Sequence, residues 1–271
     1  MSMEAEGPVA LSYREEGSGP AIVLLHGLVG DQLVWNAVIP GLSGEFRLIA
    51  PNLRGHGDTP FPPGSTSSFD ELEADVLALL DRLGLSGVHW VGFSEGAFLA
   101  LRLALNHPER SRSLTLVSGA AYCDAHQKAV MERWWSAYDT EGPDAFALRL
   151  LKDLYYPDWI EAHLEVADVL REEVVHRDFT AARAWGKALT TFDEKNRIAS
   201  LKLPTLMVQA MDDAVVDASH GRILRQTISG AQIRILVQTG HMIPAERPDE
   251  LVESIRALVQ RAESSPDPSA D

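Results

Sequence analysis

The sequence predicts an α/β fold: a mostly parallel central sheet flanked by helices, with a helical insertion. Two observations carry this. Six short runs carry apolar residues on both faces, as strands covered by helices on each side must. Most are separated by segments whose apolar residues recur at three- and four-residue steps, the period of a helix packing one face. Alternating strand and helix implies right-handed crossovers between parallel strands.

Leu11 to Glu15 reads as an antiparallel edge strand. Ala21 to Leu25 is the first apolar run, followed by His26-Gly27, and Arg47 to Ala50 is the second, ended by Pro51. Phe69 to Leu83 is a helix, with Leu72, Val76, Leu79, Leu80 and Leu83 on one face. Val88 to Phe93 is the third run, and the helix after it, from Ala97 to Asn106, stops before Pro108. Ser113 to Val117 is the fourth run. From 121 to 197 there is no convincing strand, only helical stretches carrying Trp134, Tyr138, Trp159 and Trp185. This divides the chain into a core, 1–120 and 198–263, and a helical cap insertion, 121–197. Thr205 to Val208 and Gln232 to Val237 complete the strands, with helices at Val216–Thr227 and Ala245–Ala262. The Ser/Pro/Asp-rich tail, 264–271, is expected to be disordered.

The 271 residues suffice for one large core. A formal net charge of −15 repels phosphate backbones and anionic membranes, so neither nucleic acid nor a membrane is an expected partner. The sequence leaves the oligomeric state open. Cys123 is the single cysteine and has no partner for an internal disulfide, which fits a reducing compartment. Met1 to Pro8 lacks a basic segment followed by an apolar one, so no signal peptide is expected and the cytoplasm is the expected location. No paired His or Cys spacing indicates a metal, and no glycine-rich dinucleotide fingerprint indicates a nucleotide, so no cofactor is expected.

Ligands bind open sheets of this kind beyond the carboxyl ends of the strands. The polar residues there are His26, Asn52, Ser94, Asp213 and His241. In Gly92-Phe93-Ser94-Glu95-Gly96 an apolar strand must reverse sharply into a helix. Backbone then crowds backbone, so the positions two before and two after Ser94 need to lack a Cβ, and both are glycine. A serine hydroxyl near neutral pH needs an imidazole to take its proton and a carboxylate to orient that imidazole. His241 lies in the loop after the last strand. Asp213, followed by the apolar Ala214-Val215-Val216, is the acid expected to turn inward, with Asp212 on the surface and Asp217 as a helix N-cap. The backbone N–H groups of Leu28 and Glu95 are the expected oxyanion donors. The Glu95 side chain reads as a solvated carboxylate in the first helical turn, favoured by the helix dipole. His26 is read as a brace for the loop, with substrate contact the other reading. Most of the insertion's aromatics read as its own small core, and Trp134, Tyr138, Trp159, Trp185 and Met242 are the candidates for an apolar substrate wall.

These residues together resemble the α/β-hydrolase superfamily over Val9 to Arg261: His26-Gly27, Arg54-Gly55-His56-Gly57, the serine elbow, Asp213 and Gly240-His241 occur in order. The resemblance implies a triad of Ser94, Asp213 and His241, the Leu28 and Glu95 oxyanion hole, and a helical cap. A serine at the elbow sets the chain apart from haloalkane dehalogenases and epoxide hydrolases of this fold, which carry aspartate there. The expectation is a serine hydrolase that cleaves a small ester or lactone through an acyl-enzyme. The alternatives are a C–C bond hydrolase of a ketonic ring-cleavage product, or a small-molecule receptor with little turnover.

Overall fold

The computed structural model describes residues 7–264. The signal-peptide reading of Met1 to Pro8 therefore rests largely on residues outside the described ones, as does the tail from 265 onward; Ser264 itself closes the last helix. Seven strands form one sheet: β1 (Tyr13–Glu16), β2 (Ala21–Leu25), β3 (Arg47–Pro51), β4 (Val88–Phe93), β5 (Ser111–Val117), β6 (Thr205–Ala210) and β7 (Gln232–Leu236). Their spatial order is β1-β3-β2-β4-β5-β6-β7, with only β1 antiparallel to its neighbour. The chain leaves β2 for β3 on one side and returns to β4 on the other. The crevice beyond the ends of β2 and β4 is thus the topological switch point, where open sheets take ligands.

The core helices are α1 (Ile39–Leu42), α2 (Phe69–Arg82) and α3 (Glu95–Asn106). Between β5 and β6 stand α4 (Ala125–Thr140), α5 (Pro143–Leu154), α6 (Pro157–Ala162), α7 (Leu164–His176) and α8 (Thr180–Leu189). Then come α9 (Ser219–Thr227), α10 (Ile243–Glu246) and α11 (Pro248–Ser264). Strand side chains alternate between two cores. Val23, Leu25 and Trp90 pack with α2 and α3, whereas Ile22, Leu24, Val91 and Phe93 pack with Trp35, α1 and α11. Each such side chain removed from water contributes about 1.5–3 kcal/mol. Burial on both faces is why these strands lack a polar side. Among the described residues no helix is long and apolar enough to cross a membrane.

Several element ends differ from the sequence reading, each for a local reason. The edge strand begins at Tyr13 because the Ser12 N–H bonds the Thr59 hydroxyl instead of a ladder partner. Pro51 closes β3, opposite Tyr13. The expected helix Val216–Thr227 starts only at Ser219, because the N–H groups of Val215 and Val216 turn back to the Asp213 carboxylate at 2.8 Å. Asp217 accepts the Ser219 N–H, although Ala218 is the residue at the N-cap. The expected helix Ala245–Ala262 is two helices. Pro248 has no N–H to continue α10, and it opens α11 as a first-turn residue.

Beneath the Arg54-Gly55-His56-Gly57 loop lies a buried ion pair. The Arg54 guanidinium donates to both Asp75 oxygens at 2.8 and 2.7 Å, and the Val9 N–H donates to the same carboxylate. Both side chains are at most 3% exposed. The pair ties the loop after β3 to α2 and the N-terminal segment.

Candidate active site

Ser94 sits at the turn between β4 and α3 with φ 54° and ψ −124°, a conformation that costs a non-glycine residue about 1–3 kcal/mol. The surroundings enforce it. A Cβ on Gly92 would stand 2.2 Å from the Gly96 carbonyl oxygen, and one on Gly96 would stand 2.3 Å from that of Leu25. Both glycines are therefore required by close backbone approach. The Ser94 N–H is held by the Val117 carbonyl at 2.9 Å, which fixes the turn to the end of β5.

The loop after β7 delivers His241, whose side chain is only 2% exposed. Its Nε2 lies 2.7 Å from Ser94 Oγ. Its Nδ1 lies 2.9 and 2.8 Å from the two Asp213 oxygens. The Asp213 side chain is fully buried, and its Oδ1 also accepts the Val215 and Val216 N–H groups, so its orientation is fixed by backbone. Asp212 is exposed on the surface. Burial is the largest influence on His241 and lowers its pKa. The charge and hydrogen bond of Asp213, with the nearby Glu95 and Glu246 charges, outweigh burial and raise it above the ordinary 6.5.

The Leu28 N–H points into the site from the loop after β2. Two histidines support that loop. The His26 ring is fully buried, with Nδ1 2.8 Å from the Gly27 carbonyl and Nε2 accepting the Leu53 N–H at 2.9 Å. Burial holds its pKa well below 6.5, which suits a neutral structural ring. His56 Nε2 lies 2.9 Å from the Leu28 carbonyl. Arg177, following α7, reaches across to the Val29 carbonyl at 2.8 Å and the Asp31 carboxylate at 2.9 Å. The Glu95 N–H opens α3, where a helix has no internal acceptor for it.

Glu95 departs from expectation. Its side chain turns back over the site, and the residue is 5% exposed, not solvated. Its Oε2 accepts the Leu28 N–H at 3.0 Å and the Ser94 hydroxyl at 2.7 Å. The two fixed donors outweigh hydration, since a carboxylate accepting charge-assisted hydrogen bonds tolerates burial.

Above Ser94 is a cavity of about 160 Å³. A similar volume in other proteins seats a benzene-sized molecule. Leu28, Val29, Phe93, Trp134, Leu154 and Met242 supply much of its apolar wall.

A family model for the alpha/beta hydrolase fold matches residues 20–248. The chain is an enzyme of the α/β-hydrolase family. Among its relatives is 3-oxoadipate enol-lactonase 1 of Acinetobacter baylyi, 26% identical over 90% of each chain. Among solved structures, the enol-lactonase from Burkholderia xenovorans LB400 superposes with a TM-score of 0.84 at 28% identity, covering 92% of this chain and 96% of that one. A thermophilic esterase from Thermogutta terrifontis gives a TM-score of 0.82 at 27% identity over 93% of each chain.

In this α/β-hydrolase the structure brings Ser94, Asp213, His241 and the Leu28 N–H together, and it places Trp134 and Met242 on the cavity wall. His26 braces the loop from beneath through backbone contacts, and three candidate wall residues lie elsewhere. Trp185 is fully buried against the His26 and His56 rings. Tyr138 packs edge-on to Phe146 and Phe179 within the insertion's own core. Trp159 is stacked between Tyr155 and His163, one turn beyond the cavity lining. Tyr138 and Trp159 have found ring partners inside the helical insertion, and Trp185 has found them in the two histidines beneath the loop. The cavity instead takes Leu154, Tyr155 and Leu170, together with Glu173 and Arg177 from the end of α7 and just beyond. No local motif marks these, because they reach the site only through the packing of α5 and α7. Among the described residues no cluster of His, Cys, Asp and Glu could hold a metal ion.

Proposed function

We propose that this enzyme is a serine hydrolase of small esters or lactones that works through an acyl-enzyme. The observation that carries the reading is the 2.7 Å contact between Ser94 Oγ and His241 Nε2, continued at 2.8 Å from Nδ1 to Asp213. Ser94 Oγ attacks the carbonyl carbon while His241 Nε2 takes its proton. The carbonyl π electrons move to oxygen, and the Leu28 and Glu95 N–H groups hold the resulting oxyanion. The intermediate collapses with loss of the alkoxide, which receives the proton from His241. Water, deprotonated by the same imidazole, then attacks the acyl carbon and Ser94 leaves with the proton restored. Asp213 holds Nδ1 protonated throughout. The small, largely apolar cavity and the lactonase and esterase names among the relatives support a small substrate of this class.

The test is a panel of p-nitrophenyl acetate, p-nitrophenyl butyrate, simple lactones and a vinylogous diketone, with mass spectrometry for an acyl adduct on Ser94. Turnover of esters or lactones with a transient adduct is expected. Thermal stabilisation by a panel member without any turnover overturns the reading in favour of a receptor.

The pH profile follows from His241. Only the neutral imidazole can accept the serine proton, and its pKa is raised above 6.5. The rate therefore falls as pH drops, with the midpoint of kcat/KM above 6.5. A profile across the neutral range checks this, and a midpoint on the acid side of that value is the contrary result.

A further inference from the structure

The Glu95 carboxylate stands where a reacting carbonyl oxygen belongs. An oxyanion must lie within about 2.7–3.1 Å of its donors. Glu95 Oε2 is 3.0 Å from the Leu28 nitrogen and 2.7 Å from Ser94 Oγ, so it fills that place in the free enzyme. The pocket is built to admit it: a Cβ on Gly27 would come within 3.3 Å of this same oxygen and 3.1 Å of the Ser94 Cβ.

The charge around it is predominantly negative. Asp31, Glu95 and Glu173 line the cavity, and Arg177 is the only lysine or arginine among its described lining residues. Arg177 is already engaged, by Asp31 at 2.9 Å and Glu173 at 3.3 Å. A second anion entering this space meets Glu95 at short range in a partly dry site, with no free cation to offset it.

We propose that Glu95 is a specificity-determining residue whose carboxylate occupies the oxyanion site until the substrate's carbonyl oxygen displaces it, and which rejects substrates that carry a carboxylate of their own. This rests on the hydrolase reading and narrows it to uncharged esters or lactones. Displacement moves only the side chain, because the Glu95 N–H belongs to the first turn of α3 and stays to receive the oxyanion.

The experiment compares wild type, Glu95→Gln and Glu95→Ala on two esters of similar length, p-nitrophenyl butyrate and mono-p-nitrophenyl succinate. A second readout is the rate at which diethyl p-nitrophenyl phosphate labels Ser94, followed as a mass shift. Its phosphoryl oxygen needs the same donors as a carbonyl. Wild type should prefer the neutral ester by on the order of 100-fold in kcat/KM, and both variants should narrow that ratio by about tenfold or more. Labelling should be fastest in Glu95→Ala, which frees the Leu28 N–H, and intermediate in Glu95→Gln, which keeps an acceptor there. Damage to the fold slows both esters together and leaves their ratio unchanged, so the ratio and the faster labelling are specific to this role. A ratio unchanged within about threefold in both variants, with labelling no faster in Glu95→Ala, overturns the proposal. If wild type hydrolyses neither ester while Glu95→Ala still labels faster, the hydrolase reading falls and the assignment of Glu95 to the oxyanion site stands.

Discussion

Ser94→Ala should lower kcat for a p-nitrophenyl ester by on the order of 10⁵ to 10⁶, and His241→Ala should cost about as much. The two losses should not add. Ser94 Oγ is useful only when His241 Nε2, 2.7 Å away, can take its proton, and His241 has no reacting proton to accept once the hydroxyl is gone. The double variant should therefore be no slower than the worse single variant within about threefold, since groups that act as one unit are non-additive. The residual rate measures what the Leu28 and Glu95 N–H groups and the cavity provide alone. Steady-state kinetics on the three variants, with near-ultraviolet circular dichroism to verify folding, decides it. Independent losses that multiply would separate the two side chains.

The second large effect distinguishes two adjacent acids. Asp213→Asn should lower kcat by on the order of 10⁴, whereas Asp212→Asn should stay within about threefold of wild type. The reason lies in hydrogen-bond direction. The Val215 and Val216 N–H groups both donate to Asp213 Oδ1, so an asparagine there keeps its carbonyl oxygen toward them. Its NH₂ then faces His241 Nδ1, which must give up its proton and become an acceptor. The neutral ring now carries its proton on Nε2, the tautomer that cannot accept one from Ser94. Asp212 is exposed on the surface and has no such contact. The Asp213→Asn variant should also shift the pH profile toward acid, because the charge that raises the imidazole is gone. A full-rate Asp213→Asn enzyme would overturn the assigned role.

The places of the strands along the chain and the elbow were legible because their causes are local. Gly92 and Gly96 flank a serine for steric reasons that act within five residues, whereas the break at Pro248 was read through as one helix. The loops holding Asp213 and His241 were legible because an open sheet presents the residues just past its strands. The Glu95 side chain was not. A glutamate in the first turn of a helix has a sufficient local explanation in the helix dipole, and nothing nearby in sequence reports that the Leu28 N–H, 67 residues away, waits for it. Which aromatics face the cavity was not legible, for a related cause. Tyr138, Trp159 and Trp185 sit at helical spacing, which shows that they are buried but not against which neighbour. Arg177 gives no signal at all, since its partners Val29 and Asp31 come from a different layer of the molecule.

The helical insertion is also sewn to the loops that carry His241 and Leu28. The Met242 N–H donates to the Leu154 carbonyl at 3.0 Å, Glu246 accepts from both Tyr156 and Gly240, and Arg177 grips the loop that carries Leu28. Transplanting these helices from a relative would thus do more than resize the chamber. Unless the graft reproduced those three stitches, it would unmoor the imidazole and slacken the strap bearing the anion's amide, so a chimera could lose its chemistry with every catalytic side chain still in place.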